Sequence, residues 1–338
     1  MKRYLAIESS CDETAAAVVC GTEVEASIVA SQHEVHAAYG GVVPELASRR
    51  HLEVVDGVVA AALAGARGPI DAVAATRGPG LVGSLLVGWG YALGVAAVRG
   101  IPVVPVDHLL AHVLSIRLAD DPPEPPLLCL LASGGHTLLL GVGAGWTLEL
   151  LGTSRDDAAG EAFDKGARLL GLAQPGGPAI EQLARGHTAA VPGINPAMVG
   201  DPSCDMSFAG LKTALLLALR DPDHPPAAEL AAAYEQAICE TILAACDKAL
   251  RRGPWTTLAV VGGVAANARL RRMLEDRCRE TDVRMVAAPL EYCGDNAAMV
   301  GVAAAHCPQL AVADAALLDV DPASALSRDG RLDPTTIP

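Results

Sequence analysis

Aromatic side chains are nearly missing from this 338-residue chain: two Phe, five Tyr and three Trp amount to 3% of it. Since 51% of the residues are nevertheless apolar, the interior has to be assembled from Ala, Val and Leu. Positive charge is also short. Lys and Arg number 25 against 39 Asp and Glu, a formal charge of −14. A field of that sign does not attract nucleic acid, so any RNA role needs a local basic patch or a helper subunit. Nine cysteines (11, 20, 129, 204, 239, 246, 278, 293 and 307) include no Cys-x-x-Cys pair and are odd in number. That argues against a disulfide framework and a thiolate zinc site, and fits reduced thiols in the cytoplasm. The start, Met1 to Glu8, turns acidic before a signal-peptide core can form. The long apolar run from Leu81 to Val98 is broken by four glycines and stopped by Arg99, so it is expected to be a buried helix and not a membrane span.

What is present is a histidine pair, His108 and His112, in Asp107-His-Leu-Leu-Ala-His. Histidines four apart on a helix share one face, so both imidazoles can reach one metal ion. A carboxylate from elsewhere is then needed, and Asp295, after a glycine in Cys-Gly-Asp-Asn, is the candidate. Two neutral nitrogens and one carboxylate leave positions open on Zn(II) or Fe(II), as a site that handles substrate requires.

Tyr4–Ile7 and Ala15–Val19 read as strands around the polar turn Glu8-Ser-Ser-Cys-Asp-Glu-Thr14. The pattern returns about 120 residues later, after the proline-rich linker 121–126, with Leu127–Ala132 and Thr137–Gly141 flanking Ser133-Gly-Gly-His136. Two related halves are implied. A third small-residue turn, Gly262-Gly263, follows the strand from Leu258 and leads through Asn267 into a helix over 268–279. Such turns bare backbone N–H groups to phosphate oxygens. Asp71 to Gly80 reads as strand and tight turn, residues 150–215 as a helical insertion, and Asp221 to Pro226 as a loop. His33, His36 and His51 fall in what reads as an exposed polar loop from Ser31 to His51, and the tail after about Asp319 as poorly ordered. Three glycine turns in this order match the two-lobed actin-like (ASKHA, RNase H-like) α/β nucleotide-binding fold. One lobe is expected at 1–120, completed by a helix at 295–310, the second at 127–294, and a flexible tail at 320–338.

Taken together the segments resemble the tRNA N6-adenosine threonylcarbamoyltransferase family, formerly described as O-sialoglycoprotein endopeptidases. The resemblance rests on Ile7 to Thr14, Gly41-Val-Val-Pro-Glu-Leu-Ala-Ser48, Gly78-Pro-Gly-Leu-Val-Gly-Ser84, Asp107 to His112, Ser133 to Thr137, Gly160-Glu-Ala-Phe-Asp-Lys165, Ser207-Phe-Ala-Gly-Leu-Lys-Thr213, Gly262 to Asn267 and Gly294-Asp-Asn296. It runs from about residue 4 to 303 in family order and looks like the bacterial branch. It implies transfer of threonylcarbamoyl from threonylcarbamoyl-adenylate to N6 of the adenosine 3′ of the anticodon, in tRNAs reading codons that begin with A, with release of AMP. It also implies one divalent ion, Fe(II) ahead of Zn(II), on His108, His112 and Asp295, and an adenylate held by Leu131, Ala132, Ser133, Gly134, Gly135, Asp164, Gly177 and Asn267. Its partners would be tRNA, a shorter paralogue, a small ATPase and a separate synthase for the adenylate, in the cytoplasm and without a membrane.

The residue chemistry suits that reaction. Acyl transfer from a mixed anhydride needs charge on the phosphate and carbonyl oxygens stabilised, which a metal and glycine-turn amides can do. Asp12 and Glu13 are candidates to take the proton from the amine; solvated turn carboxylates are the bland alternative. His136 reads as a strand-start residue, Asp164 and Lys165 equally as a surface pair, and Lys212 as a weak contact for a tRNA backbone. A His-Glu-x-x-His peptidase is excluded, because Leu109 stands where its glutamate must be. An actin-like sugar kinase would not need a histidine pair. A metal-dependent O-carbamoyltransferase acting on a small molecule shares the chemistry and stays open, as does a nucleotide-gated assembly subunit.

Overall fold

A computed structural model describes the chain apart from residues 38, 189, 308–309, 311–316, 324–325, 327–329 and 335–338. Compactness divides it into two units: residues 1–125, 143–149 and 288–338 form the first, 126–142 and 150–287 the second.

In unit 1, strands β1 (Arg3–Glu8), β2 (Glu13–Cys20) and β3 (Glu23–Ser31) precede helices α1 (His33–Ala37) and α2 (Pro44–Ala64). Then come β4 (Ala72–Gly78), α3 (Val82–Arg99), β5 (Val103–Asp107) and α4 (His108–Leu114). In unit 2, β6 (Leu127–Ala132) and β7 (Thr137–Val142) lead to β8 (Leu148–Thr153), whose first two residues fall in unit 1. The helices α5 (Ala159–Leu169), α6 (Gly176–Ala184), α7 (Ala209–Arg220) and α8 (Ala227–Leu250) follow. Next are β9 (Thr257–Val261), α9 (Ala268–Glu280) and β10 (Arg284–Ala287), before the chain returns to unit 1 as α10 (Ala297–His306) and β11 (Arg331–Leu332).

The first sheet has the order β3-β2-β1-β4-β5, with β1–β2 and β2–β3 antiparallel and β1–β4 and β4–β5 parallel. The second runs β10-β9-β6-β7-β8-β11, with β6–β7 antiparallel and β6–β9 and β9–β10 parallel. Read from β8 to β10, it repeats the order of the first sheet. Each half therefore opens with a hairpin and closes with parallel strands, a repeat visible in the sequence as its two hairpins.

Alternation along β1 sorts the first sheet's two faces. Leu5 and Ile7 join Val55 and Val59 of α2 and Trp89 and Ala92 of α3 in one apolar cluster. Ala6 points the other way, where a Cβ on Gly301 of α10 would stand 3.3 Å from its own. Glu8 falls on that same side by parity.

Four sequence expectations change. The stretch from Ser31 to His51 is not an exposed loop: it holds α1 and the first turns of α2, and His36 and His51 are buried. His51 bridges Thr14 Oγ1 (2.7 Å) and the Cys11 carbonyl (3.0 Å), and burial holds its pKa below the ordinary value despite that carbonyl. Helix α3 is long and apolar enough to cross a membrane, yet only one side is buried, with Leu85, Trp89, Ala92 and Ala96 against the core and Val82, Leu86 and Val98 exposed. Its small residues are apolar on every side, which hid that division. The expected helical insertion from 150 begins as the end of strand β8. Finally, residues 318–321 are tied down, because Leu318 and Val320 pack on the core, Trp89 Nε1 donates to the Leu318 carbonyl, and Asp321 N donates to the Arg77 carbonyl. Much of the remaining tail lies outside the described residues.

Asp156 explains the Ser207–Thr213 segment. Its carboxylate accepts from Ser207 Oγ (2.5 Å), Phe208 N (2.7 Å) and Ala209 N (3.1 Å), satisfying the start of α7. Burial disfavours its charge, but these donors outweigh that and hold the carboxyl below its usual range. Asp156→Ala should lower stability by about 1–3 kcal/mol, measured by urea denaturation. The difference from wild type should shrink as pH falls through the carboxyl's depressed native value, where protonation removes the same interaction. A pH-independent difference would contradict the role of charge.

Candidate metal centre and glycine turn

The metal candidates all belong to unit 1. Strand β5 ends at Asp107, whose Oδ1 accepts from Leu109 N (2.8 Å) and Leu110 N (3.0 Å), so α4 starts at His108. The whole of α4 is buried, and its two histidines lie one turn apart with ring centroids separated by 4.6 Å. Asp295 precedes α10 in a turn that Asn296 braces: its Nδ2 donates to the Gly294 and Tyr292 carbonyls, while its Oδ1 accepts from Met299 N. Asp295 Oδ1 lies 3.0 Å from His112 Nε2 and 3.7 Å from His108 Nε2. Ligand atoms about 2.1 Å from a tetrahedral ion are about 3.4 Å apart, so the spacing suits one metal. All three ligand atoms fall within 4.8 Å of one another, and among the described residues no other such group occurs. The donor set therefore fits a divalent ion. Cys11 is not one of the three, and burial, then the neighbouring carboxylates, push its thiol pKa up.

Around this triad the field is strongly negative. Burial opposes charge on both Glu8 and His108, but their mutual attraction outweighs it. Glu8 is held below the carboxylate range, and His108 is raised to about 9 by Glu8 and then Asp295. Glu13 is pushed up to about 9 by burial, then by the charges of Asp12 and Asp295, although Ser31 Oγ donates to it at 3.2 Å.

The adenylate candidates belong to unit 2. Leu131 and Ala132 are wholly buried in β6, so they place the turn and present no side chain to a ligand. Ser133 N donates to the His136 carbonyl at 2.8 Å, which spends that amide on closing the turn. Gly134 and Gly135 are exposed, and among the described residues their amides donate to nothing. Gly160, at the head of α5, sits so close that a Cβ there would stand 2.5 Å from the Ser133 carbonyl, and Gly160 N donates to it at 3.2 Å. Gly262 (φ +93) likewise backs onto the Ala132 carbonyl, where a Cβ would be 2.4 Å away. These glycines let three segments meet at one turn.

Lys165 bonds Asp157 (2.6 Å) and Glu161 (2.9 Å). Asp164 Oδ1 accepts from Gly176 N at 2.7 Å and so fixes the loop that carries Gly177, where a Cβ would meet open space. Asn267 is engaged on both sides: Oδ1 caps α9 at Leu270 N (2.8 Å) and Nδ2 donates to the buried Glu235 (2.8 Å). His136 is half-buried, and Lys212 is exposed on α7. Sequence reasoning passed over Glu8, Asn296 and Glu235. A charged residue closing the apolar strand Leu5-Ala-Ile7-Glu8 was the available signal for the first.

Two α/β units of one strand order, one bearing a His₂Asp donor set and the other a glycine turn, define an actin-like fold. Solved structures agree on the fold. Component A of (R)-2-hydroxyglutaryl-CoA dehydratase from Acidaminococcus fermentans matches with a TM-score of 0.54 at 15% identity, over 90% of this chain and 97% of its own. T. kodakarensis HypF matches with a TM-score of 0.59 at 13% identity, over 94% of this chain and 50% of its own. The sequence profile of tRNA N6-adenosine threonylcarbamoyltransferase matches residues 23–302. Proteins of that name from Synechococcus sp. (strain WH7803) and Anaeromyxobacter dehalogenans (strain 2CP-1 / ATCC BAA-258) are 49% and 47% identical to the chain. Each alignment covers 90% of the chain, and 90% and 94% of the relative. The chain belongs to the tRNA N6-adenosine threonylcarbamoyltransferase family, acyltransferases that modify tRNA.

Two measurements check this geometry. With His108 raised to about 9, a metal must displace its proton at neutral pH. Apparent metal affinity should therefore rise by about tenfold per unit between about pH 6 and 8; a flat profile by chelator competition would contradict the protonated ligand. Asn267→Ala should cost about 0.5–2 kcal/mol of unfolding free energy through the lost cap of α9, and an unchanged melting curve would show that the cap carries no stability.

Proposed function

We propose that the family's acyl transfer runs in this chain from threonylcarbamoyl-adenylate to N6 of the adenosine 3′ of the anticodon, in tRNAs reading codons that begin with A. The observation that carries the proposal is the convergence of His108, His112 and Asp295 in unit 1 of a chain from this family. Those three residues would hold one divalent ion, Fe(II) ahead of Zn(II), in keeping with the family's usual metal. Bound there, it supplies Lewis-acid neutralisation of negative charge.

The remaining work falls to the chain. The free Gly134 and Gly135 amides donate to the adenylate phosphate, whose charge grows as AMP departs. Asp164 and Gly177 hold the nucleoside end, and Asn267 supports that wall of the site through its bond to Glu235. The N6 nitrogen forms a bond to the carbamoyl carbon, the carbon–oxygen bond to phosphate breaks, and AMP leaves with the electron pair. We assign Asp12 and Glu13, adjacent at the start of β2, as the groups that take the N6 proton. An overall charge of −14 makes unaided tRNA binding poor. We therefore assign part of the tRNA surface to partners, a shorter paralogue and a small ATPase, in the cytoplasm. The names of the relatives favour this reading over an O-carbamoyltransferase for a small molecule.

The chain should be incubated with its partners, the synthase, tRNA, threonine, bicarbonate and ATP, and the nucleosides analysed by mass spectrometry. Threonylcarbamoyl-adenosine should form, and Asp295→Ala should remove bound metal and lower the yield by more than about a hundredfold. Wild-type yield from a metal-free Asp295→Ala protein would refute the ligand assignment.

A further inference from the structure

Glu8 is a fully buried carboxylate that none of the steps above uses. Alternation along β1 turns it to the α10 side of the first sheet, and there both its oxygens are engaged. Oε1 accepts from Ser10 N at 2.5 Å, and Oε2 accepts from Thr76 Oγ1 of β4 at 2.5 Å and meets His108 Nδ1 at 3.1 Å. Three elements thus clamp one carboxylate behind one imidazole, while Ser10 Oγ stands 3.3 Å from the same nitrogen.

We infer that Glu8 is the positioning residue of the metal centre, holding the proton of His108 on Nδ1 so that the Nε2 lone pair faces the ion. The inference rests on the metal reading proposed above. An ionised carboxylate accepts only, so the nitrogen facing it must donate, and the other nitrogen is left unprotonated in neutral imidazole. That other nitrogen, Nε2, is the one directed at Asp295. His112 lacks such support: its Nδ1 is buried and, among the described residues, has no hydrogen-bond partner. The two histidines are therefore unequal ligands, one oriented by a fixed carboxylate and one by packing alone. Charge agrees, because Glu8 and Asp295 together balance a divalent ion over two neutral imidazoles. A buried carboxylate serving only to tie β1 to β4 would need neither the His108 contact nor this balance.

The test uses the full chain loaded with Zn(II), which is diamagnetic, and 15N-labelled histidine. In the wild-type protein, NMR should find the His108 proton on Nδ1 and zinc on Nε2; zinc on Nδ1 overturns the inference whether or not any variant folds. Chelator competition should then show Glu8→Gln, which keeps the side chain's shape, binding zinc about 10–100-fold more weakly than wild type. Equal affinity in a folded Glu8→Gln protein also overturns it. A wild-type chain that takes up no zinc and no iron refutes the metal reading itself, and this inference with it, so the two failures are told apart.

Discussion

The first unit is organised around the attraction between buried histidine and buried carboxylate at the ends of four elements. Strand β1 delivers Glu8, β5 and its Asp107 cap deliver α4 with both imidazoles, β4 supplies Thr76, and the turn before α10 delivers Asp295. Charges in an apolar interior are tolerated only when paired and hydrogen-bonded. Here each is paired, and the pairing constrains where each element ends. The surplus of negative charge, which raises His108 and adds to the burial that raises Glu13, is what a divalent cation would relieve.

The second unit solves a different problem, that of leaving backbone donors free. A buried amide is normally spent on a partner within the protein. At the Ser133 turn, one amide closes the loop and the next two remain open, because glycine at 160 and 262 lets α5 and the end of β9 press against the turn's carbonyls. Asp164 plays a related part at the head of α6. These residues shape the turn through backbone placement, and a side chain at either glycine would meet main-chain carbonyl oxygen at once.

Much of this was legible in residue order. The repeated hairpins, the helix after Gly263 and the histidine pair follow from local periodicity, which depends only on near neighbours. Edge strand β3, with its mixed exposure, gives a weaker signal, as does β5, which carries Pro105. Helix α2 was missed although Ala47, His51, Val55, Val58 and Ala62 mark its buried face, because the polar residues around Arg49 and His51 read as loop. Nothing near Asn267 in sequence reveals its partner, because Glu235 lies 32 residues away along the chain.

Sequence alone determined the class of fold, the family and which three residues are the candidate metal ligands, since each is written in spacings of a few residues or in motifs. Which carboxylate stands behind His108, which turn amides stay free, and what raises the Glu13 pKa were decided only by tertiary structure. Those properties arise from groups brought together over long separations, 183 residues between His112 and Asp295, and from the loss of water around them.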